Sequence, residues 1–131
     1  VKSLLLFLCL ATYAIAANPP FDSADYVQAN GEKLNGQRHV LQVVYMEEAG
    51  KRTDDSTWYY IYTAQSTSYT GAIAAAVPND AIDRMVKKYG LSPSPRAWGE
   101  PYKRRPLRAR VQWDEKDRKA YLDIETILLV P

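Results

Sequence analysis

The chain has almost no cysteine or histidine: Cys9 and His39 are single occurrences in 131 residues. Such a complement cannot complete a zinc site of the Cys/His type. His39 is also the sole imidazole for a Ser-His-Asp arrangement, and no serine stands in a glycine-bounded elbow. There is no glycine-rich phosphate loop and no dinucleotide fingerprint. The acid pairs Glu47-Glu48 and Asp54-Asp55 fall in a stretch that reads as a polar loop, where solvation is their common role. The sequence thus assigns no catalytic residue, no metal ligand and no cofactor, and the expectation is a non-enzymatic protein. The formal net charge of +2 is too small to indicate a polyanionic partner by itself.

What is present begins with Val1-Lys-Ser-Leu-Leu-Leu-Phe-Leu-Cys-Leu-Ala-Thr-Tyr-Ala-Ile-Ala-Ala17. Lys2 supplies a positive start, Leu4 to Leu10 an apolar run, and Ala14-Ile15-Ala16 the small residues that signal peptidase requires. The run is short for a bilayer span, and Asn18-Pro19-Pro20 ends any helix there. Residues 1–17 are therefore expected to be a signal peptide, cleaved after Ala16 or Ala17. The protein would then be periplasmic or extracellular, with no stable membrane insertion and no disulfide. The opening Val fits a bacterial GUG start read literally, or the end of a fragment. Residues 18–131 are long enough for one domain, and a monomer is expected.

The segment 21–31 reads as a short helix, capped by Asp22 or Ser23 and closed by Gly31 in a left-handed position. Asn35-Gly36 is a turn signal. His39–Met46, Trp58–Ala64 and Gly71–Val77 read as three strands, separated by a hairpin loop over 47–57 and a turn over 65–70. In 79–90, Asn79 or Asp80 is the expected cap and Gly90 the stop. Ala81, Ile82, Met85, Val86 and Tyr89 share one apolar stripe, as in a helix that plugs a barrel end. After a proline-rich excursion from Leu91 to Pro106, Leu107–Trp113 and Ala120–Thr126 form a hairpin about Lys116-Asp117. One register pairs Val111 with Leu122, Ala109 with Ile124 and Trp113 with Ala120. It also sets Arg110 against Asp123 and Arg108 against Glu125, so apolar and charged faces agree. Ile127–Val130 reads as a further buried run.

The order β-β-β-α-β-β, with Asn35-Gly-Gln-Arg-His-Val40 leading into strand one and Leu107-Arg-Ala-Arg-Val-Gln-Trp and Ala-Tyr-Leu-Asp-Ile-Glu-Thr-Ile127 at the end, resembles the small exported bacterial OB-fold proteins over roughly residues 35–130. The resemblance implies a mainly β protein: a five-stranded OB-type Greek-key barrel with a helix between strands 3 and 4 and a short N-terminal helix. It also implies a range of ligands, namely oligonucleotides, oligosaccharides or other proteins.

Two features suit binding. The aromatic band Trp58, Tyr59, Tyr60, Tyr62, with Tyr45 on the neighbouring strand, offers rings for stacking on bases or sugars. Alternate members must fill the barrel instead. The basic stretch Lys103–Arg110 leaves Lys103, Arg104 and Arg105 free once the hairpin neutralises Arg108 and Arg110. The candidate ligand residues are thus Tyr45, Tyr60, Tyr62, Lys103, Arg104 and Arg105. The favoured expectation is an exported, non-enzymatic OB-fold binding or interaction module of unknown ligand, with an unknown protein, a glycan or an oligonucleotide as the partners considered. The alternatives are single-stranded nucleic acid held by the tyrosines and the basic loop, or a glycan or other envelope component.

Overall fold

The structure, a computed structural model, describes residues 20–126. The expected signal peptide and the run Ile127–Val130 lie outside the described residues. Two short helices, α1 (Ala24–Ala29) and α2 (Gly31–Leu34), precede three strands, β1 (Arg38–Lys51), β2 (Ser56–Gln65) and β3 (Ser68–Pro78). A 3-10 turn (Asn79–Ala81) leads into α3 (Ile82–Tyr89), followed by β4 (Arg105–Asp114) and β5 (Lys119–Asp123). The strands close into a barrel in the order β1-β2-β3-β5-β4, antiparallel except at the β3–β5 seam. With α3 between β3 and β4, this is the OB-type Greek-key barrel expected from the sequence.

β1 is apolar on both parities because it serves two neighbours. Its first half, from Arg38 to Val43, pairs with β4, and its second half, up to Lys51, pairs with β2. The register shifts between Val43 and Tyr45, and both Val43 and Val44 are buried at that irregularity. β1 and β2 extend well into the expected 47–57 loop. Glu47 and Glu48 belong to β1, and only residues 52–55 turn the chain, because Trp58 and Thr57 pair with Gly50 and Lys51. The expected turn over 65–70 likewise shrinks to Ser66-Thr67, with Ser66 at a φ of 53°.

The hairpin register holds for Arg110↔Asp123, Val111↔Leu122 and Trp113↔Ala120. The ladder stops at Asp123, so the expected pairs Ala109–Ile124 and Arg108–Glu125 do not form. Ile124 instead donates its amide to the Ala76 carbonyl at 3.1 Å. Glu125 is taken by Arg110 at 2.9 Å and by Arg38, from β1, at 2.8 Å.

The two barrel ends are closed by different helices. α1 sits where β3 begins. Its Ala24 and Val27 enter the core, and the Ser23 side chain caps it by accepting from the Tyr26 amide at 3.0 Å. The Ala24 amide donates to the buried Thr63 hydroxyl at 2.9 Å, which ties α1 to β2. Gly31 does not end this helix in a left-handed position. Asn30 is the C-cap and Gly31 opens α2; the position takes glycine because a Cβ there would overlap Ala120 and lie 3.1 Å from the Trp113 ring.

The 3-10 turn and α3 close the other end, where β3 finishes, with Ala81 of the turn and Met85 and Tyr89 of the helix buried and Ile82 and Val86 packed against the core. Neither expected cap forms there, since the helix proper starts after Ala81 without a side-chain cap. The Asn79 side chain instead accepts from the Thr57 hydroxyl at 2.9 Å and donates to the Asp54 carbonyl at 3.0 Å, pinning the β1–β2 turn to the plug. Gly90 stops α3 as expected, with a φ of 81°.

Candidate functional site

Strand alternation decides which aromatics are available. On β2, Tyr59, Ile61 and Thr63 point into the barrel and are buried, so Trp58, Tyr60 and Tyr62 point outward. Their partners across β3 are all alanines: Trp58 faces Ala76, Tyr60 faces Ala74 and Tyr62 faces Ala72. Large rings beside methyl groups leave open floor between β2 and β5.

Two hollows occupy that floor. One, of about 420 Å³, is lined by Gln28 of α1, Tyr60, Ala74, Ala120 and the hairpin residues Arg118 and Lys119. The other, of about 360 Å³, is lined by Arg52, Ser56, Ala76, Pro78 and Asp123 among others. Between them stands Trp58, which meets Tyr121 of β5 edge to face at 5.3 Å and carries the Arg52 guanidinium 5.2 Å from its ring centre. The charges here are mixed: Glu47, paired across the ladder with Tyr60, and Asp123 stand against Arg52, Arg118 and Lys119.

Tyr45 and Tyr62 stack on one another at 4.3 Å, at the end of β2 away from Trp58. Tyr69 meets Tyr45 edge-on at 6.4 Å and Tyr102 at 4.6 Å, and the Arg96 guanidinium lies 3.8 Å from the Tyr102 ring centre. Burial pushes the Tyr69 hydroxyl up to about 12, helped by its hydrogen bond with Tyr102. The same hydrogen bond, with a second from Arg96, lowers that of Tyr102. Tyr45 is raised by burial first and by Tyr62 second. The Tyr102 amide donates to the Ser66 carbonyl at 2.8 Å, which fastens the proline-rich excursion to the β2–β3 turn. Tyr69, Tyr102 and Arg96 were not candidates from the sequence. They meet only because that excursion folds back on the barrel.

Compared with protein-family models, with curated proteins and with solved structures, the chain matches none. Its function must be read from its own residues.

The six candidates therefore separate. Tyr45 and Tyr62 come together in the tyrosine cluster, whereas Tyr60 stands by itself in the larger hollow. Lys103 and Arg105 line a third cleft, on the far side of the excursion beside the end of α3. Arg104, between them, is exposed and not part of that cleft. Trp58 is not among the six candidates, and its outward place makes it central to the face. Tyr121 was legible as outward from the hairpin register, since its neighbour Leu122 had to point in.

Among the described residues no three His, Cys, Asp or Glu side chains gather in a way that could hold a metal. His39 is engaged within the fold: its Nε2 contacts the Phe21 carbonyl, and its ring lies 5.9 Å from Tyr26 in a stacked arrangement. Glu125 is held below the usual carboxylate range by hydrogen bonds from Arg38 and then Arg110, an arrangement that fixes two strands together. None of the described helices is long and apolar enough to cross a membrane.

Proposed function

We propose that this chain is an exported, non-enzymatic binding module that takes its ligand on the outer face of β2, β3 and β5. The observation that carries the reading is the row Trp58, Tyr60 and Tyr62 facing Ala76, Ala74 and Ala72, with a hollow on each side of Trp58. Rings that project beside an alanine floor present their faces to a flat ligand ring, and stacking on such platforms needs no particular sequence or substituent. Export rests on the first seventeen residues, whose Lys2, apolar run and Ala14-Ile15-Ala16 have the pattern of a secretory signal.

The mixed charge around the hollows suits an uncharged ligand, which favours a glycan or envelope saccharide over a polyanion. The test is titration of the purified protein with a panel of oligosaccharides at low and high salt. Saturable binding with little salt dependence is expected. It should weaken on the order of tenfold, ~1.4 kcal/mol, in Trp58→Ala or Tyr60→Ala. Absence of any glycan binding overturns the ligand class. Turnover of a hydrolase substrate, abolished by an Asp or Glu substitution, overturns the non-enzymatic reading.

A second reading, single-stranded nucleic acid, draws on the exposed cations Lys103, Arg104 and Arg105 together with Tyr60 and Tyr62. It requires one strand to pass from the aromatic face around the excursion to the third cleft. An oligonucleotide affinity that falls steeply with salt and is lost in Tyr62→Ala supports it over the glycan.

A further inference from the structure

We propose that the cleft between the end of α3 and the start of β4 binds a phosphate monoester or free phosphate ion. This site is separate from the aromatic face, and with a saccharide on that face it is independent of the ligand there. The cleft holds about 190 Å³, smaller than either hollow on the aromatic face, so it suits one oxyanion group rather than a polymer backbone. Lys87 and Lys88 line it from the last turn of α3, Lys103 and Arg105 from the excursion and β4, and Ser92 and Ser94 from between them. No carboxylate is in its lining.

What sets the cleft apart is convergence: four cations line one hollow, whereas the ion pairs of the fold, Arg38 and Arg110 with Glu125, Lys51 with Asp54, and Arg118 with Glu32 and Glu115, all lie elsewhere. Among the described residues, none of the four cations of the cleft has a carboxylate within 4.0 Å. The carbonyl end of α3 accounts for lysines at 87 and 88, because cations suit that end of a helix. It does not account for Lys103 and Arg105, which arrive from a separate part of the chain. Val43, Val44 and Tyr89 form the apolar wall, and a low-dielectric wall strengthens the field of charges beside it.

At Gly90 the backbone is already committed: its amide donates to the Val86 carbonyl at 2.8 Å, and its carbonyl accepts from the Met46 amide at 2.9 Å. The charge for recognition comes from side chains. A guanidinium fork, three ammonium groups and two hydroxyls are the donor set that a tetrahedral oxyanion accepts from.

The experiment is an NMR titration of the full chain with inorganic phosphate and, separately, glycerol 3-phosphate, against sodium chloride at matched ionic strength. The amides of Gly90, Ser92 and Ser94 should shift saturably with the phosphates and not with chloride. Arg105→Gln and Lys103→Gln should each weaken binding at least tenfold while leaving the thermal unfolding midpoint unchanged, since both side chains are exposed. Tyr60→Ala should have no effect on it. Tighter binding of glycerol 3-phosphate marks the site as one for an esterified group, and equal binding marks it as one for the free ion. Shifts that do not saturate, that chloride reproduces, or that survive both substitutions overturn the proposal.

Discussion

Tyr45 on β1 and Tyr62 on β2 lie ring on ring across the ladder, with centroids 4.3 Å apart and planes within 6° of parallel. Each covers a face of the other, so the pair contributes to the sheet before it contributes to a ligand. An offset aromatic pair adds ~0.5–1.5 kcal/mol beyond the area it buries. Tyr62→Ala should therefore lower the unfolding free energy by at least that much, read by urea denaturation. Tyr60→Ala should leave stability nearly unchanged, because its ring is exposed.

Gly31 is required by close packing. A methyl group there overlaps Ala120 and crowds Trp113, so Gly31→Ala should destabilise by ~1–3 kcal/mol as an overpacked contact. Adding Ala120→Gly should recover part of the loss, since two residues in contact do not act additively. Equilibrium denaturation of the two single variants and the double variant measures the coupling.

Tyr89 predicts an alkaline signature. Its hydroxyl donates to the Pro106 carbonyl at 2.7 Å, and burial pushes it up to about 12 from an ordinary value of 10.0. Below pH 10 it is protonated in both the folded and the unfolded chain. As pH rises from 10 towards about 12 the unfolded chain ionises first, and stability falls. Tyr89→Phe should cost ~0.5–1.5 kcal/mol at neutral pH for the lost hydrogen bond. It should also flatten the decline between pH 10 and 12, although Tyr69, raised as well, keeps some of it.

Glu125 governs the acid side. Its carboxyl is held below its ordinary value of 4.5 by Arg38 and Arg110, so the fold favours the ionised form. That contribution is complete above 4.5 and is lost as pH falls through the lowered folded value. Glu125→Gln should be less stable than the parent at neutral pH, with the gap closing as the pH drops below 4.5. A pair of thermal melts, at pH 7 and pH 3, reads the difference.

The strand order and the β4–β5 register were legible because local signals agreed there. The turn about Lys116-Asp117, the apolar alternation and the Arg110–Asp123 pair all select the same alignment. The partners of Glu125 were not legible: one of them, Arg38, arrives from a strand far away in the chain, and the hairpin alone suggested Arg108. Gly31 misled for a related reason. A glycine that ends a helix and a glycine that admits a neighbour's methyl look alike in sequence, and only the position of Ala120 separates them. The reach of β1 through Glu47–Lys51 was hidden by its polar side chains, which form strand because Trp58, Tyr59 and Tyr60 pair with that segment. At the candidate site, parity turned only Tyr59 of the β2 rings inward and left Trp58, Tyr60 and Tyr62 outward. The cleft of Lys87, Lys88, Lys103 and Arg105 needed the folded excursion to appear at all.

Among the described residues, the β3–β5 ladder has only two pairs, Ala75 with Leu122 and Ala76 with Asp123, with the Ile124 amide bonded to the Ala76 carbonyl just beyond them. Every other neighbour in the ring is joined by a longer ladder, so this seam is the weakest stave joint of the cask. If it parts, the closed ring becomes an open sheet with two bare margins. One of them carries the small side chains of Ala74, Ala75 and Ala76, which offer little obstruction to a strand from another molecule. Amides of β5 should exchange with solvent ahead of those of β2, and the gap between the two rates measures how firmly this short clasp guards the protein against linking with its own copies.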